Sequence, residues 1–296
     1  MKIIILAKHA EDDYETNRLV TSFRSKGIEV SVRHPDRFDL IVNENLKQHI
    51  KYDGETLELP DLVFVRIGAG ISRFQLAVIR HFEQAGVKCV NSSISVESAI
   101  DKLRTAQILS SNNIAIPKTM IVKYPVDINL IKDDIGFPCV IKVVTGSYGE
   151  GIYLCEDSAS FKKIIEFISN VGSKETLIVQ EYLGDRPGED LRVLVAGDKV
   201  FGAMKRTAPA GDFRANITNG GTGEMFEVSP EIEHIAKKTA QVLGLSIAGI
   251  DLLFDNRGFK VCEANSNPGF SGFERYCNKD VADFLTDYVI KVAYNK

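Results

Sequence analysis

Three oxygen-bearing side chains, Asp251, Glu263 and Asn265, form the group in this sequence best suited to chemistry. Hard oxygen donors of this kind favour Mg2+ or Mn2+ over zinc. Mg2+ bound in this way usually completes its octahedral shell with water and phosphate oxygens, so the group indicates a nucleotide site. The alternative is a hairpin with a solvated polar face, which needs no metal.

A tight turn between these residues would bring them together. Asp255-Asn256-Arg257-Gly258 has Asp first and Gly last, the pattern of a type I turn that runs into a left-handed glycine. It predicts a three-residue hairpin loop in which Asp255 pairs with Phe259. Counting outward then places Asp251 opposite Glu263, with Asn265 two residues further on the same face.

A lysine and a glycine-rich segment indicate the other side of a nucleotide site. Lys142 interrupts an apolar strand, and a buried lysine needs an anionic partner. The segment that follows contains Gly146, Ser147 and Gly149, where backbone N–H groups could approach phosphate. It is neither a P-loop nor a Rossmann fingerprint. It predicts a flap over the nucleotide, and an ordinary glycine-rich turn is the alternative.

Other candidates are weaker when taken alone. The segment Gln180-Glu181-Tyr182-Leu183 ends a strand, so its backbone could contact an adenine edge or simply leave the sheet. Asp190 and Arg192 share a face of the next strand, where a surface ion pair is the alternative. Lys102, early in a helix, by itself predicts a solvated side chain.

A cationic segment follows the next predicted strand. Arg206 and Arg214 could clamp a carboxylate or phosphate with two hydrogen bonds each, and Asn216 adds an amide. A solvated loop is the alternative. The sequence shows no Ser/His/Asp or Cys/His arrangement and no histidine spacing typical of zinc sites, so nucleophilic catalysis and zinc are unsupported.

Composition narrows the class of protein. The 296 residues carry a formal net charge of -4, with a pI near 5.8, which argues against general nucleic-acid binding. The five cysteines have no CxxC spacing, which favours reduced thiols, and no apolar run reaches membrane-spanning length. We expect a cytoplasmic protein that makes no membrane contact.

The order of predicted elements indicates an α/β protein in three parts. Residues 1–95 alternate strands with helices and predict a parallel sheet. Residues 96–178 begin with a helix over 98–109 and predict a central lid lobe of α+β type. Residues 179–296 predict a largely antiparallel sheet with helices over 229–243 and 279–292.

Taken in order, these motifs resemble ATP-grasp ligases of the RimK type over nearly the whole chain. The motifs that carry the resemblance are Arg66-Ile67-Gly68, Asp101-Lys102-Leu103, Val140-Ile141-Lys142, the glycine-rich flap, Gln180-Glu181-Tyr182, Asp190-Leu191-Arg192, Arg206, Gly211-Asp212-Phe213-Arg214-Ala215-Asn216, Asp251 and Glu263-Ala264-Asn265-Ser266-Asn267-Pro268-Gly269.

The resemblance implies the ATP-grasp fold, with ATP bound between the central lobe and the C-terminal sheet. It implies phosphate contacts for Lys102, Lys142 and the flap residues Gly146, Ser147 and Gly149, and adenine contacts for Gln180, Glu181, Tyr182 and Leu183. It also implies nucleotide contacts for Asp190, beside the ribose, and for Arg192, and one or two Mg2+ or Mn2+ ions bound by Asp251, Glu263 and Asn265. For Arg206, Arg214 and Asn216, it implies contacts to acyl phosphate and substrate carboxylates.

The reaction implied is ATP-dependent activation of a carboxylate as an acyl phosphate, followed by attack of an amine, with glutamate the expected amine. The acceptor is a peptide C terminus or a small carboxylic acid, and the sequence leaves that choice and any homo-oligomer open. Thr207 and Pro209 stand where bacterial ribosomal-protein ligases of this type tend to carry charge. An ATP-grasp small-molecule kinase and a nucleotide-sensing module without turnover are the alternative functions.

Overall fold

A computed structural model describes residues 1–9, 13–44, 50–68, 70–143, 151–170, 176–217 and 220–295. The first part contains a parallel sheet, β2-β1-β6-β7, beside a small antiparallel sheet, β3-β4-β5. Its elements are β1 (Lys2–Ala7), α1 (Tyr14–Ser25), β2 (Glu29–Arg33), a 3-10 turn (Pro35–Arg37), β3 (Phe38–Leu40), β4 (Ile50–Tyr52), β5 (Glu55–Thr56), β6 (Leu62–Arg66), α2 (Arg73–Gln84) and β7 (Lys88–Val90). The central strands β1 and β6 of the parallel sheet are apolar and buried, because helices cover both faces.

The second part is built on an antiparallel sheet, β10-β9-β11-β8. Its elements are α3 (Ser93–Ile100), α4 (Lys102–Ser111), β8 (Thr119–Val122), α5 (Ile128–Asp134), β9 (Cys139–Val143), β10 (Ile152–Cys155), α6 (Ser158–Asn170) and β11 (Leu177–Glu181). Ile141, Phe161 and Val179 contribute to an apolar core of this sheet and its helices. The helix α5 was not predicted.

The helix predicted over 98–109 is two helices. Asp101 has an extended backbone between α3 and α4, and its side chain accepts the N–H of Arg104 at 2.9 Å, so it caps α4. Lys102 is therefore the first residue of α4. Ala99 and Leu109 pack into the core of the C-terminal sheet.

The third part is an antiparallel sheet, β14-β13-β12-β15-β16, covered by helices. Its elements are β12 (Glu189–Ala196), β13 (Lys199–Thr207), β14 (Thr222–Phe226), α7 (Pro230–Val242), β15 (Ile247–Asp255), β16 (Gly258–Asn265), α8 (Ser271–Cys277) and α9 (Val281–Tyr294). The sequence predicted neither β14 nor α8. The α/β architecture, with a parallel sheet in the first part and an antiparallel sheet in the third, is the predicted one, whereas the sequence did not predict the strand direction of the central sheet.

Alternation along the strands gives this sheet two apolar faces. Leu191 and Val193 of β12 face a core that includes Ala236 of α7. Leu194 faces a second core, which Leu285 of α9 shares with residues of the parallel sheet. The first part of the chain therefore packs directly against the sheet that carries the candidate site. Among the described residues, no helix is long and apolar enough to span a membrane.

Candidate active site

The β15–β16 hairpin places Asp251 opposite Glu263, as the sequence predicted. The predicted turn pairing is wrong, however, because Asp255 pairs with Gly258 rather than Phe259. Gly258 has a φ of 127°, which is unfavourable for other residues and closes the turn one residue earlier. Without a compensating change, this register would shift Glu263 away from Asp251.

A β-bulge at Cys262 supplies that change. The register shifts by one between Asp251 and Leu252, which leaves Cys262 without a residue opposite it. Beyond the bulge, Asp251 pairs with Glu263, and Asn265 pairs with Gly249. The two errors in the predicted register thus cancel at the candidate metal ligands.

Asp251 lies in a buried ionic cluster. Arg192 donates to its carboxylate from Nε to Oδ1 at 2.5 Å and from Nη2 to Oδ2 at 2.7 Å, and Arg206 Nη2 is 3.0 Å from Oδ2. Burial alone would raise the pKa of Asp251, but the charges of the two arginines outweigh burial and lower it. The carboxylate is therefore held ionised although its side chain is only 6% exposed.

Arg206 joins this cluster to the neighbouring strand. Its Nε and Nη2 donate to the two carboxylate oxygens of Asp190 at 2.7 and 2.6 Å. Burial opposes its positive charge, but Asp251 and Asp190 raise the pKa of Arg206. Asp190 and Arg192, predicted to share a face, both belong to the cluster, and the surface-pair alternative does not describe this buried arrangement.

A cleft runs beside the hairpin, between the central sheet, α4 and β16. Lys102, Lys142, Gln180 and Glu263 are among the residues that line it. The Nζ of Lys142 donates to Gln180 Oε1 at 2.7 Å and is 3.5 Å from the Sγ of Cys262. Burial raises the pKa of the Cys262 thiol. The structure thus brings both predicted lysines to one cleft with a candidate metal ligand.

The flap residues Gly146, Ser147 and Gly149 lie outside the described residues. Glu181 follows Gln180 on β11, and its Oε1 accepts the backbone N–H of Lys118 at 2.9 Å and a hydrogen bond from the Nζ of Lys260 at 2.6 Å. Its side chain is therefore engaged by protein groups, and the adenine contact of its backbone stays a prediction.

The next two residues leave the central sheet. The ring of Tyr182 packs edge-on against Phe213, with centroids 6.3 Å apart, and Leu183 is half-buried. Phe213 belongs to the loop that also carries Arg214. The ring contact therefore joins the predicted adenine segment to the predicted substrate loop.

Arg214 and Asn216 lie in the loop after β13. Arg214 Nη2 donates to Asp212 Oδ2 at 2.8 Å, and hydrogen bonds from Arg214 lower the pKa of Asp212 to about 2. The Arg214 side chain is 34% exposed. The carbonyl of Asn216 accepts the N–H of Gly221 at 3.3 Å.

Two sets of residues that contact segments of the site were missed or only partly recognised. The sequence did not indicate a role for Lys260. Its place in an alternating strand pattern does not reveal that its partner, Glu181, lies on another sheet. The loop 266–271, which follows Asn265 directly, is held by Glu15, Arg66 and Asn91. The motif around Arg66 was noted as part of the resemblance, whereas Glu15 and Asn91 showed no distinguishing pattern.

Family models match almost all of the chain. A RimK-like ATP-grasp domain matches residues 99–289, and a RimK PreATP-grasp domain matches residues 1–96. The chain belongs to the RimK-like ATP-grasp family. This membership confirms the expected fold and the expected enzyme class, an ATP-dependent carboxylate–amine ligase.

Individual relatives of this RimK-like chain agree with that membership. A probable alpha-L-glutamate ligase of Stutzerimonas stutzeri (strain A1501) is 39% identical over 292 residues, which are 98% of this chain and 96% of the relative. Among solved structures, the ATP-grasp ligase PsnB, complexed with a phosphomimetic precursor variant, Mg and ADP, superposes with a TM-score of 0.77 at 23% identity, covering 99% of this chain and 98% of PsnB. A RimK domain ATP-grasp protein of Sphaerobacter thermophilus DSM 20745 has a TM-score of 0.77 at 20% identity, covering 97% and 99%.

The donor set of this RimK-like site suits a magnesium ion. Among the described residues, no three His, Cys, Asp or Glu side chains converge, so a centre here needs the amide of Asn265 beside the two carboxylates. Asn265 Nδ2 is 3.5 Å from Asp251 Oδ2, so the amide lies within reach of the carboxylate. A carboxylate offers about four lone-pair directions, so Asp251 can accept from arginine and still bind a cation.

Proposed function

We propose that the chain joins L-glutamate to the carboxylate of a peptide C terminus or of a small acid, through an acyl phosphate. The observation that carries this proposal is that Glu263 belongs to both halves of the site. It pairs with Asp251 across the hairpin and lines the cleft that contains Lys102 and Lys142. The relative from Stutzerimonas stutzeri is named a probable alpha-L-glutamate ligase, which supports glutamate as the amine.

The cleft lysines serve the nucleotide. Lys102 and Lys142 neutralise the phosphates of ATP, and Gln180 orients the ammonium group of Lys142 through its 2.7 Å hydrogen bond. The backbone of Glu181, Tyr182 and Leu183 faces adenine. Asp251, Glu263 and Asn265 would hold Mg2+, which would supply charge neutralisation at the transferring phosphoryl group. The proposal includes Mn2+ as an alternative to Mg2+ and a second metal ion at the same site.

Two bond exchanges complete the reaction. A carboxylate oxygen of the acceptor attacks the γ-phosphorus while the bond to ADP breaks. The unprotonated amine of glutamate then attacks the acyl carbon, phosphate leaves, and the amine proton passes to solvent. Arg214 is half-buried on its loop and binds a carboxylate beside Asn216. Arg206 acts from within the sheet by fixing Asp190 and Asp251.

An ADP-release assay across carboxylate and amine pairs, with mass spectrometry of the products, tests the proposal. Hydroxylamine in place of the amine should trap the acyl phosphate as a hydroxamate. Glu263→Gln should abolish both signals, whereas Glu233→Gln on α7, an exposed glutamate outside the site, should change neither. A stable phosphorylated product without an amine would identify a kinase instead. Binding of MgATP with no turnover of any pair would contradict the proposal.

A further inference from the structure

The loop 266–271 follows the candidate metal ligand Asn265 without an intervening residue. Its backbone is held by side chains from the first part of the chain, more than 170 residues away in sequence. Glu15, Arg66 and Asn91 belong to or follow three elements, α1, β6 and β7. All three contact backbone atoms of the loop or of its immediate neighbours.

Glu15 holds the end of the loop. Its Oε1 accepts the backbone N–H of Phe270 at 2.6 Å and that of Ser271 at 2.9 Å. These N–H groups lie at the start of α8, which has no side-chain cap of its own. The short helix α8 is therefore capped by a residue of another part of the molecule.

Arg66 holds both Glu15 and the middle of the loop. Its Nη2 donates to Glu15 Oε2 at 2.9 Å, and its Nη1 and Nη2 are 3.2 and 3.3 Å from the carbonyl oxygen of Pro268. The guanidinium carbon lies 5.5 Å from the centre of the Phe270 ring. Only the planar fork of arginine can make these contacts together, and the side chain is 7% exposed.

Asn91 holds the start of the loop. Its Nδ2 donates to the carbonyls of Ser266 and Ile247, each at 2.7 Å, and its Oδ1 accepts the N–H of Ile247 at 2.9 Å. Packing is close as well, because a Cβ at Gly68 would lie 2.9 Å from the Cβ of Asn267. The exit of β16 thus has little freedom to move relative to β15.

We infer that Glu15 and Arg66 are positioning residues for the metal site, an inference that rests on the proposed function. They act through the loop backbone and touch no reacting atom. Mg2+ requires near-ideal octahedral ligand geometry, and Mn2+ binds the same set of oxygen ligands, so freedom at the end of β16 weakens binding through Glu263 and Asn265. Supporting contacts around metal ligands typically contribute about 10- to 100-fold in metal affinity.

Mn2+ binding in the presence of ADP, followed by the electron paramagnetic resonance signal of free Mn2+, measures this effect without turnover. Glu15→Gln keeps the shape of the side chain but replaces one carboxylate oxygen with an amide NH2 group. If the NH2 group faces Arg66, the acceptor for Arg66 is lost. If it faces the loop, the acceptor for Phe270 and Ser271 is lost. We expect Glu15→Gln and Arg66→Met each to weaken Mn2+ affinity by about tenfold, and Arg66→Lys to fall between Arg66→Met and wild type.

Lys26→Met is the matched control. Lys26 follows the same helix α1 and also bridges to the C-terminal part, through Asp283 at 2.7 Å and Asp287 at 2.5 Å, but it contacts α9 rather than the loop. We expect its Mn2+ affinity to stay within about twofold of wild type, because an exposed ion pair contributes little.

Unchanged Mn2+ affinity in Glu15→Gln and Arg66→Met overturns the inference, and so does an equal loss in Lys26→Met, which would indicate general loosening. Glu263→Gln separates this result from a failure of the proposed function. If Glu263→Gln also leaves Mn2+ affinity unchanged, the metal site itself is wrong. If Glu263→Gln alone weakens binding, the metal site stands and the positioning role does not.

Discussion

Arg206 and Arg214 are eight positions apart and were predicted to share one task, yet they lie in opposite environments. Arg206 is buried in the sheet and contacts two carboxylates from neighbouring strands, Asp190 and Asp251. Arg214 lies on a loop, pairs with Asp212 two residues away, and is about one-third exposed. Burial decides which arginine belongs to the framework of the site and which can reach a substrate.

The largest expected effect concerns the acidic pair beside Arg206. We expect Glu263→Gln and Asp251→Asn each to lower kcat by at least about a thousandfold, since each removes charge that a metal needs for several kcal/mol of transition-state stabilisation. Steady-state ADP release checks this. Only Asp251→Asn should also lower stability, because it removes the carboxylate that pairs with Arg192 and leaves Arg206 with Asp190 alone. Equal stability of the two variants would contradict the ionic cluster.

Removal of Arg206 tests the framework role. Arg206→Met leaves Asp190 and Asp251 buried with too little compensation, and breaking a buried ion pair from one side costs about 3–5 kcal/mol. Urea unfolding followed by circular dichroism measures the loss. A decrease of less than about 1 kcal/mol in the free energy of unfolding would show that the ion pairs of Arg206 contribute no more than exposed ion pairs do.

Removal of Arg214 should have the opposite profile. We expect Arg214→Met to change the free energy of unfolding by less than about 1 kcal/mol, since its pair with Asp212 is partly solvated. The KM for a carboxylate substrate should rise about tenfold, corresponding to about 1.4 kcal/mol. Initial rates at varied substrate concentration measure it. An unchanged KM would show that Arg214 does not bind the carboxylate substrate.

The smallest effect concerns pH. Hydrogen bonds from Arg214 lower the pKa of Asp212 to about 2. The Asp212–Arg214 ion pair is therefore intact at pH values above the ordinary pKa of a carboxyl group. Its contribution to stability is present above about pH 4 and is lost as pH falls through about 2, the sign expected for a depressed carboxyl pKa. NMR titration of Asp212 in wild type and in Arg214→Met checks this. The variant should move the midpoint back toward about 4.

Local patterns predicted the long elements well. The apolar run predicts a strand over 2–7, and helical periodicity predicts helices over 14–26, 72–85 and 229–243, which match β1, α1, α2 and α7 within one residue at each end. Elements that depend on distant partners were missed. The helix α8 has 7 residues and takes its cap from Glu15, so its own segment contains no start signal. The strand β14 was not predicted, because its pairing with β13 is not visible in five residues.

The sequence alone determined which residues are candidates for the chemistry. Residue types and spacing grouped Asp251, Glu263 and Asn265 and indicated Lys142, because oxygen donors and buried lysines have few compatible roles, whereas Lys102 joined them only through the family resemblance. Tertiary structure decided how they meet. The bulge at Cys262 sets the register, the cluster around Arg206 keeps Asp251 ionised, and Glu15 and Arg66 hold the loop after Asn265. These contacts join segments far apart in the chain, and local propensity carries no information about such contacts.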